Sequence, residues 1–90
     1  MKRTEILSTA SDIITTDRNT AYGEPEDSFG LIAAYWSAHL DASITSSDVA
    51  VMMALLKIAR IKSSPEKSDH WVDLAGYAAC GGEIMTEVTL

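Results

Sequence analysis

Between Val49 and Ile61 the chain places Val49, Val51, Met52, Met53, Leu55, Leu56, Ile58 and Ile61, with Ala50, Ala54 and Ala59 among them. A helix built from this segment, about Ser46 to Lys62, is apolar nearly all round. Such a helix has to be covered by several neighbours or by a second subunit. Its longest unbroken apolar run, Val49 to Leu56, is too short to span a bilayer, and Thr45, Ser46 or Ser47 can cap its start. Ninety residues make a single domain, residues 1–90, near the lower limit at which one core is self-sufficient. Three partner helices from so short a chain do not easily enclose this one, so a homo-oligomer is expected.

Three further helices follow from spacing and punctuation. Ile6, Leu7, Ala10, Ile13 and Ile14 recur at helical intervals and predict a first helix from about Lys2 to Asp17. Arg18 to Pro25 breaks the pattern with Gly23 and Pro25. Pro25, with Glu26 and Asp27 in the turn after it, opens a second helix, because proline suits a first helical position and acids suit the positive end of the helix dipole. Phe29, Ile32, Ala33, Trp36 and Leu40 line one of its faces. After the central helix, Ser63 to Lys67 forms a turn, and Ser68 or Asp69 caps a fourth helix on which Trp71, Leu74, Ala75, Ala78 and Met85 share a face. That helix is expected to continue through Gly81 and Gly82, at about 1 kcal/mol per glycine relative to alanine. Gly76, Ala78, Ala79, Gly81 and Gly82 then make a small-residue surface that another helix can approach closely.

Polar residues inside this apolar frame are the candidate site. Lys57 is flanked on its helix by Met53, Ala54, Ile58 and Ile61, and a buried ammonium must find a carboxylate or lose its proton. Antiparallel pairing of helices three and four brings Asp69 and Asp73 near Arg60 and Lys57, with Tyr77 continuing the acidic stripe one turn on. One reading is a set of salt bridges that fixes the helices. The other is a pocket for a small anionic ligand.

Charge narrows the partners. Thirteen acids stand against seven bases, a net charge of −6, and no Lys or Arg lies between Arg18 and Lys57. That interval holds Glu24, Glu26, Asp27, Asp41 and Asp48, a surface that repels phosphate backbones and disfavours DNA or RNA binding. It is either a solvated face or a docking surface for a basic protein. A hydrophobic fraction of 47% argues against disorder. Cys80 is the single cysteine, which leaves no intrachain disulfide and no customary zinc set and fits a reducing cytoplasm. Its expected role is that of a small buried hydrophobe. His39 and His70 make no HxxxH or ExxH spacing, and Trp36 and Trp71 read as core. Met1-Lys2-Arg3 leads into an amphipathic pattern and not into the apolar core of a signal peptide.

Four blocks carry a resemblance: Tyr22-Gly23-Glu24-Pro25-Glu26-Asp27-Ser28-Phe29, Ile32-Ala33-Ala34-Tyr35-Trp36-Ser37-Ala38, Met53-Ala54-Leu55-Leu56-Lys57-Ile58-Ala59-Arg60, and Asp69-His70-Trp71-Val72-Asp73-Leu74-Ala75-Gly76-Tyr77-Ala78-Ala79. Together they resemble a small phage-borne domain family of unknown function, over about Arg18 to Glu83. Lys-x-x-Arg followed by Asp-x-x-x-Asp-x-x-x-Tyr also resembles the phage nucleotide-modification-associated domains and, more distantly, the MazG-like all-helical nucleotide pyrophosphohydrolases. The resemblance implies an all-α, four-helix, MazG-like bundle in the cytoplasm of a bacterial host, with a nucleotide-scale pocket. The hydrolases hold Mg²⁺ through an ExxE pair and an ExxD pair, since a hard dication needs several carboxylate oxygens. Here Glu24 to Asp27 contains Pro25, the later pair is Asp69 and Asp73 at a spacing of four, and helix three offers Lys57 and Arg60.

The sequence thus reads first as a binding module. Its polar pocket would be built by Arg18, Tyr22, Glu26, Lys57, Arg60, Asp69, Asp73 and Tyr77 around a nucleotide-like or other small anion, with no cofactor. The alternatives are an inhibitor of a host defence protein acting through Glu24, Glu26, Asp27, Asp41 and Asp48, and a divergent pyrophosphohydrolase, which alone requires Mg²⁺.

Overall fold

The computed structural model describes residues 1–17 and 25–87, and within these every regular element is helical. Helix α1 covers Arg3–Asp12 and runs into a π-helical turn, Ile13–Asp17; α2 is Pro25–Leu40, α3 Ser46–Ser63 and α4 Ser68–Thr86. The most extensive packing is between α3 and α4; α1 packs on α4 and α2 on α3. Among the described residues α3 packs mainly on α4 and on α2, and α4 covers it most.

The ends of α3 show why it starts where it does. Thr45 takes an extended backbone, its hydroxyl accepts the Asp48 N–H at 3.1 Å, and the Asp48 carboxylate accepts the Thr45 N–H at 2.9 Å. This reciprocal capping box satisfies two of the orphan donors of a helix start. Hydrogen bonding from Thr45 to the Asp48 carboxylate, by its backbone first and then by its side chain, holds that carboxyl below its ordinary range. The connection from α2 is held just as locally. Asp41 ends α2 in the left-handed region at φ 51°, the Ala42 N–H donates back to the Ser37 carbonyl at 3.1 Å, and the Ser37 hydroxyl accepts the Ile44 N–H at 2.9 Å.

Phe29, Ala33, Val49, Ala50 and Cys80 form the buried core, and Ile14, Ile32, Trp36, Ile44, Met53, Tyr77 and Ile84 pack around it. Two glycines set the helix spacing. A Cβ on Gly81 would lie 2.8 Å from the Ala50 Cβ, closer than carbon atoms tolerate, and one on Gly76 would lie 3.2 Å from the Ile14 Cγ2. The small residues of α4 thus let α3 and α1 approach its backbone, and α4 runs unbroken through Gly81 and Gly82.

Several expectations need correction. On α4 the buried residues are Val72, Gly76 and Cys80, while Trp71, Ala78 and Met85 are exposed. The small side chains allow closer packing than the large ones, so hydrophobic size pointed to the wrong stripe. Trp71 lies over the preceding turn instead of in the core, its indole N–H donating to the Pro65 carbonyl at 2.9 Å. Neither Ser68 nor Asp69 caps α4: the cap position is Lys67, with no side-chain hydrogen bond. Leu40 and Leu7 are exposed, the first at a helix end, the second on the outer side of α1. The first helix is not α-helical throughout, since its last five residues widen to the π form. There the Thr15 and Thr16 hydroxyls donate to the carbonyls of Ser11 and Asp12, four residues back, a contact that bends helices.

Candidate functional site

Packing α4 antiparallel on α3 brings Lys57 to Asp73, with Nζ 3.0 Å from Oδ2. Both side chains are about three-quarters withdrawn from water, at 20% and 28% exposure. Arg60 and Asp69 do not join them. Both are exposed, and among the described residues Lys57–Asp73 is the only ion pair. Tyr77 turns inward, its ring tilted 33° to that of Phe29 with centroids 6.2 Å apart. Arg18, Tyr22 and Glu24 lie outside the described residues, as do the side chains of Glu26 and Asp27. Asp41 and Asp48 are exposed at opposite ends of the α2–α3 connection.

Between the same two helices lies an apolar concavity. An open groove of about 370 Å³ runs between α3 and α4, one wall made by Val51, Leu55 and Ile58, the floor by Ala50 and Ala54, and the other side by Tyr77, Ala78, Gly81 and Gly82. Beyond the tall wall the apolar surface continues over Met52 and Leu56. Five large side chains of α3 therefore remain in water: Val51 and Leu55 at 58%, Ile58 at 50%, Leu56 at 43% and Met52 at 37%. Helix α2 shows a second, smaller instance, Leu31 and Tyr35 lying exposed on its outer side with Ala34 and Ala38. Isolated exposed apolar residues are ordinary; a contiguous strip along a helix is a candidate interaction surface. The sequence shows α3 as apolar all round, and its candidate site was placed on the polar residues. The signal that was available is the set of positions 51, 52, 55, 58 and 59, which share one helical face.

Among the described residues no three His, Cys, Asp or Glu side chains are grouped to hold a metal ion. Cys80 is buried and His39 exposed, while His70 is half-buried with its Nδ1 unpartnered among the described residues. No helix of these residues is long and apolar enough to cross a membrane.

A family model for a domain of unknown function, DUF6378, matches residues 5–85. The chain belongs to that family. It is 42% identical over 82 residues to the Gene 55 protein of Mycobacterium phage D29, a match covering 91% of this chain and 54% of the relative. To the Gene 55 protein of Mycobacterium phage L5 it is 45% identical over 74 residues, covering 81% of this chain and 47% of the relative. The chain spans about half the length of these curated relatives. No solved structure matches. The expected resemblance to a phage-borne family of unknown function is therefore met by DUF6378, whereas the comparisons do not reach MazG-like or nucleotide-modification proteins.

Proposed function

We propose that this DUF6378 domain works by protein association and not by catalysis, and that its working surface is the outer face of α3 with the groove beside it. The observation that carries this reading is the row of five exposed large apolar side chains on α3. Leaving so much apolar surface in water forgoes about 25 cal/mol for each Å² that a partner would cover. A host defence protein, the target of the inhibitor reading, would be one such partner, with exposed Asp48 at the end of the strip and exposed Asp41 in the connection before it steering a basic surface.

A second reading, a pocket for a nucleotide-like or other small anion, has one observation in its favour. The Arg60 guanidinium is exposed, one turn from Lys57, and has no carboxylate partner among the described residues. Against it, the Lys57 charge is already matched by Asp73. The Mg²⁺-dependent pyrophosphohydrolase reading fares worse, because Asp73 is engaged with a cation and a dication needs several free carboxylate oxygens.

Native mass spectrometry of the protein as it leaves the cell, with and without Leu55→Glu/Ile58→Glu, separates these readings. Both positions are exposed, so the variant should keep its helical circular dichroism. The expected result is a complex for the parent protein, a single chain for the variant, and no pyrophosphate release from nucleoside triphosphates with Mg²⁺ by either. Single chains in both samples, together with turnover or a bound nucleotide lost in Arg60→Ala, would overturn the association reading.

A further inference from the structure

We infer that the partner covering α3 is a second copy of this chain, its α3 antiparallel to the first and the two-fold axis passing beside Leu55. The inference rests on the association reading above and specifies what occupies that surface.

The argument comes from the ends of the exposed strip. Asp48, Leu55 and Lys62 fall at intervals of seven residues, on one face of the helix, and all three are exposed. Among the described residues neither Lys62 nor Asp48 has an ion-pair partner; the Asp48 carboxylate accepts the Thr45 N–H. Seven-residue spacing is the interval at which a helix keeps one seam against a neighbour. A two-fold axis maps position 55 onto itself in the opposite copy and places position 48 of each chain against position 62 of the other. The apolar middle of the strip then meets itself. Its acidic end meets the partner's basic end twice, once on each side of the axis. A parallel arrangement would set acid on acid and base on base, so the charges select the antiparallel one.

Shape agrees with charge. The groove has a tall side, Val51, Leu55 and Ile58, and a low side, Ala78, Gly81 and Gly82. Rotation by the two-fold axis turns each copy's tall side toward the other's apolar surface. A Cβ built on Gly82 would meet nothing within 4 Å. Unlike Gly81, this glycine is not required by packing inside its own subunit, and it leaves room at the groove's low edge. From Asp48 to Lys62 the strip is about 22 Å long, and it is two helices, about 20 Å, across. That is on the order of 450 Å² per copy, the size of a weak, reversible interface.

Sedimentation equilibrium of the whole chain and two charge variants tests this directly. The parent should sediment at twice the 9.7 kDa of one chain at micromolar concentration. Asp48→Lys and Lys62→Glu, each alone, create two like-charge contacts per dimer and should weaken self-association at least about tenfold. Mixed in equal amounts, the two variants pair so that the introduced lysine faces the introduced glutamate on one side of the axis, while the native Asp48 faces the native Lys62 on the other. Dimerisation should then return to nearly the parental level. Leu55→Glu, which alters an exposed position and leaves the cap intact, should be monomeric with unchanged helicity. A parent that stays monomeric at 100 µM, on the order of ten times the interface's working range, overturns the inference. So does a mixture that fails to associate while both variants remain folded. A monomeric parent that still leaves the cell in a complex sensitive to Leu55→Glu/Ile58→Glu would remove the second copy and retain the association reading.

Discussion

Gly81→Val should destabilise the domain by about 3 kcal/mol, whereas Gly82→Ala, one residue on, should stabilise it by up to about 1 kcal/mol. The opposite signs come from what each Cβ meets. At Gly81 it falls 2.8 Å from the Ala50 Cβ, an atom fixed to the α3 backbone, so no side-chain rotation relieves the contact and the two helices must separate. Separation loosens Val49, Ala50 and Cys80 at the centre of the core. At Gly82 the Cβ enters open space, and only the helix-propensity gain remains. Urea denaturation in the Leu55→Glu background, where association is removed, measures both. For a domain of this size 1 kcal/mol corresponds to about 4–8 °C in melting temperature, so the pair should differ unmistakably. Ala50→Gly should recover most of the loss in Gly81→Ala. If Gly81→Val were neutral, the close approach of α3 to α4 would be wrong.

Lys57→Met is expected to cost about 2–3 kcal/mol. Removing one member of a withdrawn ion pair strands the other, which costs about 3–5 kcal/mol when burial is complete. The figure is lower here because Asp73 keeps 28% of its side-chain surface in water. Lys57→Met/Asp73→Leu should be far less destabilised than the sum of the single variants, since two apolar side chains suit the α3–α4 seam. A double-mutant cycle by chemical denaturation reads the coupling. Additive effects would show that the 3.0 Å contact contributes no energy of its own. A loss of this size with no change in the oligomeric state would mark the pair as structural.

How much of this was legible differs from helix to helix. The starts of α2 and α3 follow from Pro25 and from the capping residues Thr45, Ser46 and Ser47, because caps and proline act through local chemistry; the hydrogen bonds of Thr45 then show which of the three caps α3. The run of α4 through two glycines, and the pairing of Lys57 with Asp73, were also legible, since antiparallel neighbours joined by a short turn have nearly one register. The buried face of α4 was not. Periodicity weighs side chains by hydrophobic size and chose Trp71, Leu74 and Met85; tight packing against α1 and α3 instead needed Val72, Gly76 and Cys80. Helical spacing likewise could not show that α1 ends in a π turn, because hydroxyl back-bonding by Thr15 and Thr16 and contact with α4 decide it locally. For the candidate site, an unusual lysine drew attention to the polar seam, while the exposed strip on α3 was hidden in a segment that reads as uniformly buried. A sequence shows that a helix is apolar all round; only the packing of its neighbours shows which side they leave bare.

The most direct test of the claim that the outer face of α3 is a covered working surface is the reactivity of a thiol placed at its centre. In Leu55→Cys, the alkylation rate of position 55 should fall as protein concentration rises through the micromolar range, while the buried Cys80 stays unreactive until the domain unfolds. A rate at position 55 that equals that of an unstructured cysteine peptide at every concentration, in purified protein and in the cell alike, would contradict it.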